Sequence, residues 1–174
     1  MFTKEDIENY FTTFKNEQVV LIILGLLALI TALLFYLWRK TPWFKGFTLP
    51  LAVFALLFCG AGFSNYKKIN TLRVRAAYHY DMHPELLKTI ELPRIRSVRQ
   101  NLQVLIGVNI SILIASFLIF LYFRKKEDQP YYRGTASSLF LMSAISIILY
   151  TLMINSANTY QSGIEKYTEQ IIVK

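Results

Sequence analysis

Four apolar stretches divide this chain, and helical spacing of apolar residues runs on between them. Residues 19–38, 47–63, 102–123 and 136–157 hold no charged side chain. Each is close to the roughly 20 residues that a helix needs to cross about 30 Å of hydrocarbon. Lipid offers the backbone no water to bond, so such a segment must be helical. A soluble bundle would show polar faces inside these stretches, and the first, VVLIILGLLALITALLFYLW, shows none. The pattern predicts an all-α fold: one integral membrane four-helix bundle over residues 1–174.

The segment 64–101 reads as a loop by hydropathy and as a helical hairpin by spacing. Ile69, Leu72 and Ala76 continue the second span; Leu86, Leu87 and Ile90, then Ile95, Val98 and Leu102, lead into the third. Between them lies HYDMHPE, with Asp81 or His83 placed to cap and Pro84 suited to a first helical turn. Pro93 should bend or interrupt the second arm. Ile7, Tyr10, Phe11 and Phe14 give the N-terminal segment an apolar stripe, and Tyr160, Ile164, Tyr167 and Ile171 do the same at the other end. With four spans, both termini and the hairpin emerge on one side. All four helices then extend there by roughly 18–25 Å at about 1.5 Å per residue. Tight connections at 39–46 and 124–134 close the other side.

Small residues let helices approach closely in lipid. Gly25, Ala28 and Ala32 form such a stripe on the first span, Ala55, Cys59 and Gly62 on the second, and Gly107, Ser111 and Ala115 on the third. Ala136, Ser143 and Tyr150 run down the fourth. These stripes are expected to pack within the chain's own bundle, contact between protomers being the alternative. The Ser, Thr and Asn residues of the spans are expected to bond between helices. The alternative is a polar stripe lining a pore, for which Asn109, Ser143 and Asn155 are the candidates.

Composition agrees with a membrane residence. Of the 174 residues 54% are hydrophobic and only 17% charged, against about 25% charged in globular domains. The first 17 residues are polar and acidic, with no cleavable secretory signal pattern. The two tight connections carry seven basic residues: Arg39, Lys40, Lys45, Arg124, Lys125, Lys126 and Arg133. Such turns read as cytoplasmic. Trp38, Trp43, Tyr122, Tyr131 and Tyr132 would form the aromatic belt on that face. The expectation is a multi-pass protein of the plasma (inner) membrane, with both termini and the 64–101 hairpin outside. The hairpin pulls the other way, because it holds eight basic residues against three acids.

Catalytic chemistry finds little support. No ionisable group lies inside the spans, where one would mark a functional site. The single cysteine, Cys59, provides no disulfide framework. His79 and His83 share the hairpin tip, but Pro84 follows at once and breaks the helical face that a metal pair would need. No phosphate-binding glycine loop, zinc pattern or nucleophile elbow is present. The expectation is a protein without enzymatic activity, cofactor or metal. Arg73, Arg75, Arg94, Arg96 and Arg99 could form a basic surface for lipid headgroups or an acidic partner; nucleic acid would need the inverted topology.

Two functions follow. One is a non-enzymatic membrane protein that binds another membrane or envelope protein, as an accessory or immunity-type subunit. The other is a self-assembling pore or membrane-perturbing effector of a bacterial defence system. A transporter is disfavoured, since the chain has no inverted repeat and no buried charge for coupling.

Overall fold

A computed structural model describes residues 2–38, 41–126 and 128–172. They form four long helices: α1 (Lys4–Trp38), α2 (Pro42–Met82), α3 (Pro84–Phe123) and α4 (Pro130–Ile172). No strand occurs among the described residues. All four are long and apolar enough to cross a membrane, and the chain is a multi-pass membrane protein built as an all-α four-helix bundle. Proline opens α2, α3 and α4, where its missing N–H would have no intrahelical partner.

The connections are tighter than the sequence suggests. Helix α2 starts at Pro42 and α4 at Pro130, so residues 42–46 and 130–134 belong to helices rather than turns. Residues 39 and 40 lie outside the described residues, as do the side chains of Trp38 and Ile171. His83 takes the cap position between α2 and α3 without a side-chain hydrogen bond. Asp81 stays helical and pairs with Lys4.

Helix α3 is not uniform. Residues Leu87–Glu91 form one π turn, and α-helix resumes at Leu92 with Pro93 in its first turn. Proline cannot donate to the carbonyl four residues back, and a wide turn accommodates that break without ending the helix. The expected interruption is thus a bulge. It also changes the inward face: Leu87, Glu91, Leu92 and Ile95 are buried, and Ile90 is 45% exposed.

The bundle has two cores. One lies at the end where the termini and hairpin meet: Ile7, Phe11, Ile69, Ala76, Leu87, Ile95, Tyr160 and Ile164 bring all four helices together. Phe2 contacts both Tyr80 and Tyr167 there, which places the chain's beginning, the hairpin and the end of α4 side by side. This half is called the head below. The other core lies among the apolar stretches, with Leu21, Ala28 and Ala32 of α1, Phe54, Ala55 and Phe58 of α2, and Met142 and Met153 of α4. Here α2 is central, flanked by α1 and α4, and α3 packs along α4. Only 11% of the apolar stretch of α3 is buried, against 39% for α2. Leu56, Leu118 and Ile148 stand exposed around this half. Water would penalise so broad an apolar surface, and lipid does not.

Candidate functional site: the head and the α1/α4 seam

The head is organised around a buried ion pair. Arg94 donates to Glu91 through Nε (2.9 Å) and a terminal nitrogen (2.5 Å), and the Tyr160 hydroxyl donates to the same carboxylate at 3.1 Å. Glu91 is 2% exposed. The Arg94 guanidinium also lies 5.6 Å from the centre of the Phe11 ring. Burial alone would lower the Arg94 pKa, but the hydrogen bond and charge of Glu91 outweigh it and raise it above the usual range. Tyr10 stacks on Tyr160 with ring centres 4.0 Å apart and planes within 2°. Burial pushes both phenols well above their ordinary pKa, with the charge of Glu91 adding to the effect and Arg94 opposing it.

This arrangement changes the reading of the arginines. Arg94 is mostly buried, its side chain 22% exposed, and it is committed to Glu91. Arg73 pairs with Glu8 of α1 at 3.2 Å, and Arg96 with Glu165 of α4 at 2.7 Å. Three of the five candidate arginines are therefore paired with carboxylates of this chain, with the Arg73 and Arg96 side chains still 42% and 53% exposed. Arg75 is exposed and has no ion pair among the described residues, while Arg99 is half-buried with its Nε unbonded. Spacing alone did not reveal Glu91, because a carboxylate on the core face of a helix looks like a surface residue.

The small-residue stripes separate into two kinds. A Cβ on Gly25 would lie 2.6 Å from Cys59 Sγ and 3.0 Å from the Ala55 carbonyl, so α1 and α2 meet closely there. Ala28 and Ala32 are buried in the same contact. Gly107, Ser111 and Ala115 face outward instead, and nothing lies within 4 Å of a Cβ built on Gly107. Among the glycines, the closest backbone approach falls at Gly46 and Gly134, in the first turns of α2 and α4. A Cβ on Gly46 would stand 2.1 Å from the Tyr131 carbonyl oxygen, and one on Gly134 2.0 Å from that of Trp43. Thr135 seals the crossing by donating to the Gly46 carbonyl at 3.1 Å.

Most span hydroxyls bond within their own helix rather than between helices. Thr31 donates to Leu27, Ser111 to Gly107, Ser146 to Met142 and Thr151 to Ile147. The pore candidates do not share a surface: Asn109 is 6% exposed, Ser143 is fully buried, and Asn155 is exposed. His79 is buried with Nδ1 unbonded, whereas His83 is exposed near Glu85 at 3.4 Å. No group of three potential ligands gathers among the described residues.

One recess is both large and hydrogen-bonding. Between α1 and α4 in the head lies a groove of about 500 Å³, rimmed by Asn9, Thr13, Thr159, Ser162 and Lys166, with Tyr10 and Tyr160 among its lining. Its end toward the apolar half is marked by Ser156, which donates to Glu17 Oε1 at 2.6 Å. A second recess, about 350 Å³, opens between α1, α2 and α4 among the apolar stretches and is lined by Leu27, Thr31, Phe35, Leu51 and Leu141. No protein-family model, curated protein or solved structure matches this chain.

Proposed function

We propose that this chain is a non-enzymatic membrane protein that works by holding another membrane or envelope protein against its head. The observation that carries this reading is the α1/α4 groove, an open recess with amide, hydroxyl and ammonium groups on its rim. Its floor is held in place: the Tyr10–Tyr160 stack rests on the Glu91–Arg94 pair, and Arg73 and Arg96 tie α2 and α3 to α1 and α4. A surface ordered before binding loses less entropy on association. The accessory or immunity-type role fits a chain with an internally paired head and no charged side chain in its spans. The inner membrane, with head and termini outside, is the residence the basic connections support.

The pore reading is less well supported, because Asn109, Ser143 and Asn155 do not line one surface. The test fills the groove. Asn9→Trp with Thr159→Trp should remove the heavier species from native electrophoresis of mild detergent extracts while leaving the thermal melt in place. A heavier species whose mass is a whole multiple of this chain's own, and which makes liposomes leaky, favours the pore instead.

A further inference from the structure

The cations of the head differ in what holds them. Lys4, Arg73, Arg94 and Arg96 each pair with a carboxylate of this chain. Lys15 and Lys67 have no ion pair among the described residues and rest on aromatic rings instead. Lys15 Nζ of α1 lies 5.5 Å from the centre of the Tyr66 ring, and Lys67 Nζ lies 4.3 Å from that of Phe63. Both rings belong to α2 and, three residues apart, share one face of it. Phe63 is 55% exposed and Tyr66 38%. The two helices are fixed to each other at this level. Asn65 donates to Gln18 at 3.2 Å, and a Cβ on Gly62 would stand 3.1 Å from the Gln18 carbonyl oxygen. The acids that flank Lys15 on α1 are engaged elsewhere, Glu8 with Arg73 and Glu17 with Ser156.

Height above the hydrocarbon selects the ligand. Lys15 precedes Val19, where the first apolar stretch begins, by four residues, and Lys67 follows Phe63, where the second ends, by four. At about 1.5 Å per residue, each stands about 6 Å beyond the hydrocarbon. The polar layer of each leaflet is about 5–7 Å thick, so both ammonium groups fall at the depth of the lipid phosphates. The exposed Phe63 ring closes the apolar stretch, and the charge above it meets headgroups. Arg75 and Lys166, also without an ion pair, stand about 18 and 13 Å out, beyond that layer. Of the other cations at this depth, Lys68 is turned about 100° from Lys67 around α2, and Arg99 belongs to α3. We propose that the outer face of α1 and α2 binds the headgroup of an anionic phospholipid in the leaflet on the head's side, with Lys15 and Lys67 supplying the charge for its phosphate. A zwitterionic headgroup brings its own ammonium, which this pair repels; an anionic one does not. The face is separate from the docking groove, because Lys15 lies two residues on from Thr13 and about 200° around α1. Lipid and docked partner therefore do not compete.

The experiment puts one indole at the site. Tyr66→Trp, with Trp38→Phe and Trp43→Phe, leaves a single tryptophan in the full chain. The protein is reconstituted in phosphatidylcholine vesicles that contain brominated phosphatidylglycerol or, for comparison, brominated phosphatidylcholine, and quenching of that indole is measured. The expected result is a preference for the phosphatidylglycerol of about 25-fold, falling about fivefold with Lys15→Gln or Lys67→Gln and lost with both. Arg75→Gln removes the same charge outside the headgroup layer and should leave the preference unchanged. Equal quenching by the two lipids overturns the inference. So does a preference that survives the double substitution or falls as far with Arg75→Gln. Loss of the preference in excess soluble glycerol phosphate, at constant ionic strength, would assign the site to a free phosphate ester and not to lipid. In native membranes a photoreactive phenylalanine analogue in place of Tyr66 should give lipid adducts. A protein adduct there would give the face to an acidic partner and overturn the lipid assignment.

Discussion

Tyr160 and Glu91 meet inside the head, 69 residues apart in sequence, through a 3.1 Å hydrogen bond from phenol to carboxylate. With Arg94 on the same carboxylate, the contact joins α3 to α4 around a charge that water does not reach.

Breaking this pair should cost more than removing it. Glu91→Ala leaves the Arg94 guanidinium desolvated and unpaired, an expected loss of about 3–5 kcal/mol. Tyr160→Phe removes one hydrogen bond to a charged group, about 1.5–3 kcal/mol. Replacing both charges, Glu91→Met with Arg94→Met, should recover most of the stability lost by Glu91→Ala, because neither charge is then stranded. Thermal unfolding of the purified chain in one detergent checks all three. A double variant less stable than the single would contradict the isolation of the pair.

The head should weaken in alkali. Tyr10 and Tyr160 are held above the phenol range by burial, so the folded chain keeps two protons that an unfolded chain releases near pH 10. Their contribution is complete below about pH 10 and is lost as pH rises beyond it. On the acid side the sign reverses. The hydrogen bond from Arg96, then that from Gln161, lowers the pKa of Glu165, so this contribution is present above the carboxylate range and is lost as pH falls through it. Phenolate absorbance of the folded protein should show these two of the eleven tyrosines silent until unfolding. Titration of all eleven before unfolding would contradict their burial.

Glycine substitutions should divide sharply. At Gly46 and Gly134 a methyl group meets backbone atoms of the facing helix, which cannot step aside. Ala at either should cost about 1–3 kcal/mol, as overpacking does. Gly60→Ala and Gly107→Ala meet nothing within 4 Å and should leave the melt unchanged or slightly raised. Parallel thermal melts distinguish the two pairs. Equal losses at all four would mean that α2 and α4 do not cross at Gly46 and Gly134.

What could be read beforehand followed from periodicity. Ile7, Phe11, Ile69, Ala76, Ile95 and Ile164 all turn inward as their three- and four-residue spacing predicts, and Phe2, Tyr80 and Tyr167 meet at the expected end. Partnerships were not legible. Arg73, Arg94 and Arg96 look alike in a list of cations, and only the approach of Glu8, Glu91 and Glu165 from neighbouring turns and helices separates them from Arg75. The π turn at Leu87–Glu91 shifts which side chain continues the inward face, so Glu91 replaces Ile90. By hydropathy Gly46 and Gly134 fall in the connections, and their role in a helix contact depends on the backbone opposite them, which spacing does not carry. The groove arises from the spacing of α1 and α4, which no single stretch of sequence encodes.

Orientation decides which compartment the head meets. Its two ends and the hairpin share one side: Lys4 pairs with Asp81, and Phe2 rests on Tyr80 and Tyr167. A reporter fused after Lys174 must therefore sit opposite one inserted within 125–129. Short basic connections resist translocation, whereas charge spread along a long, folded segment counts for less. The pairing of Arg73, Arg94 and Arg96 with carboxylates concerns the folded head, formed after insertion, so it cannot by itself settle the contest. The first span's own flanks weigh toward an outside N-terminus, since residues 1–17 carry two basic residues and the 39–46 connection carries three. The expected outcome is an active periplasmic-type reporter after Lys174 and an active cytoplasmic-type reporter at 125–129. Reversing the flank, with Glu5→Lys, Asp6→Lys and Glu8→Lys together, should shift part of the population to the opposite orientation. The opposite reporter pattern in the unaltered chain would place the groove in the cytoplasm and exclude an envelope partner outside the membrane.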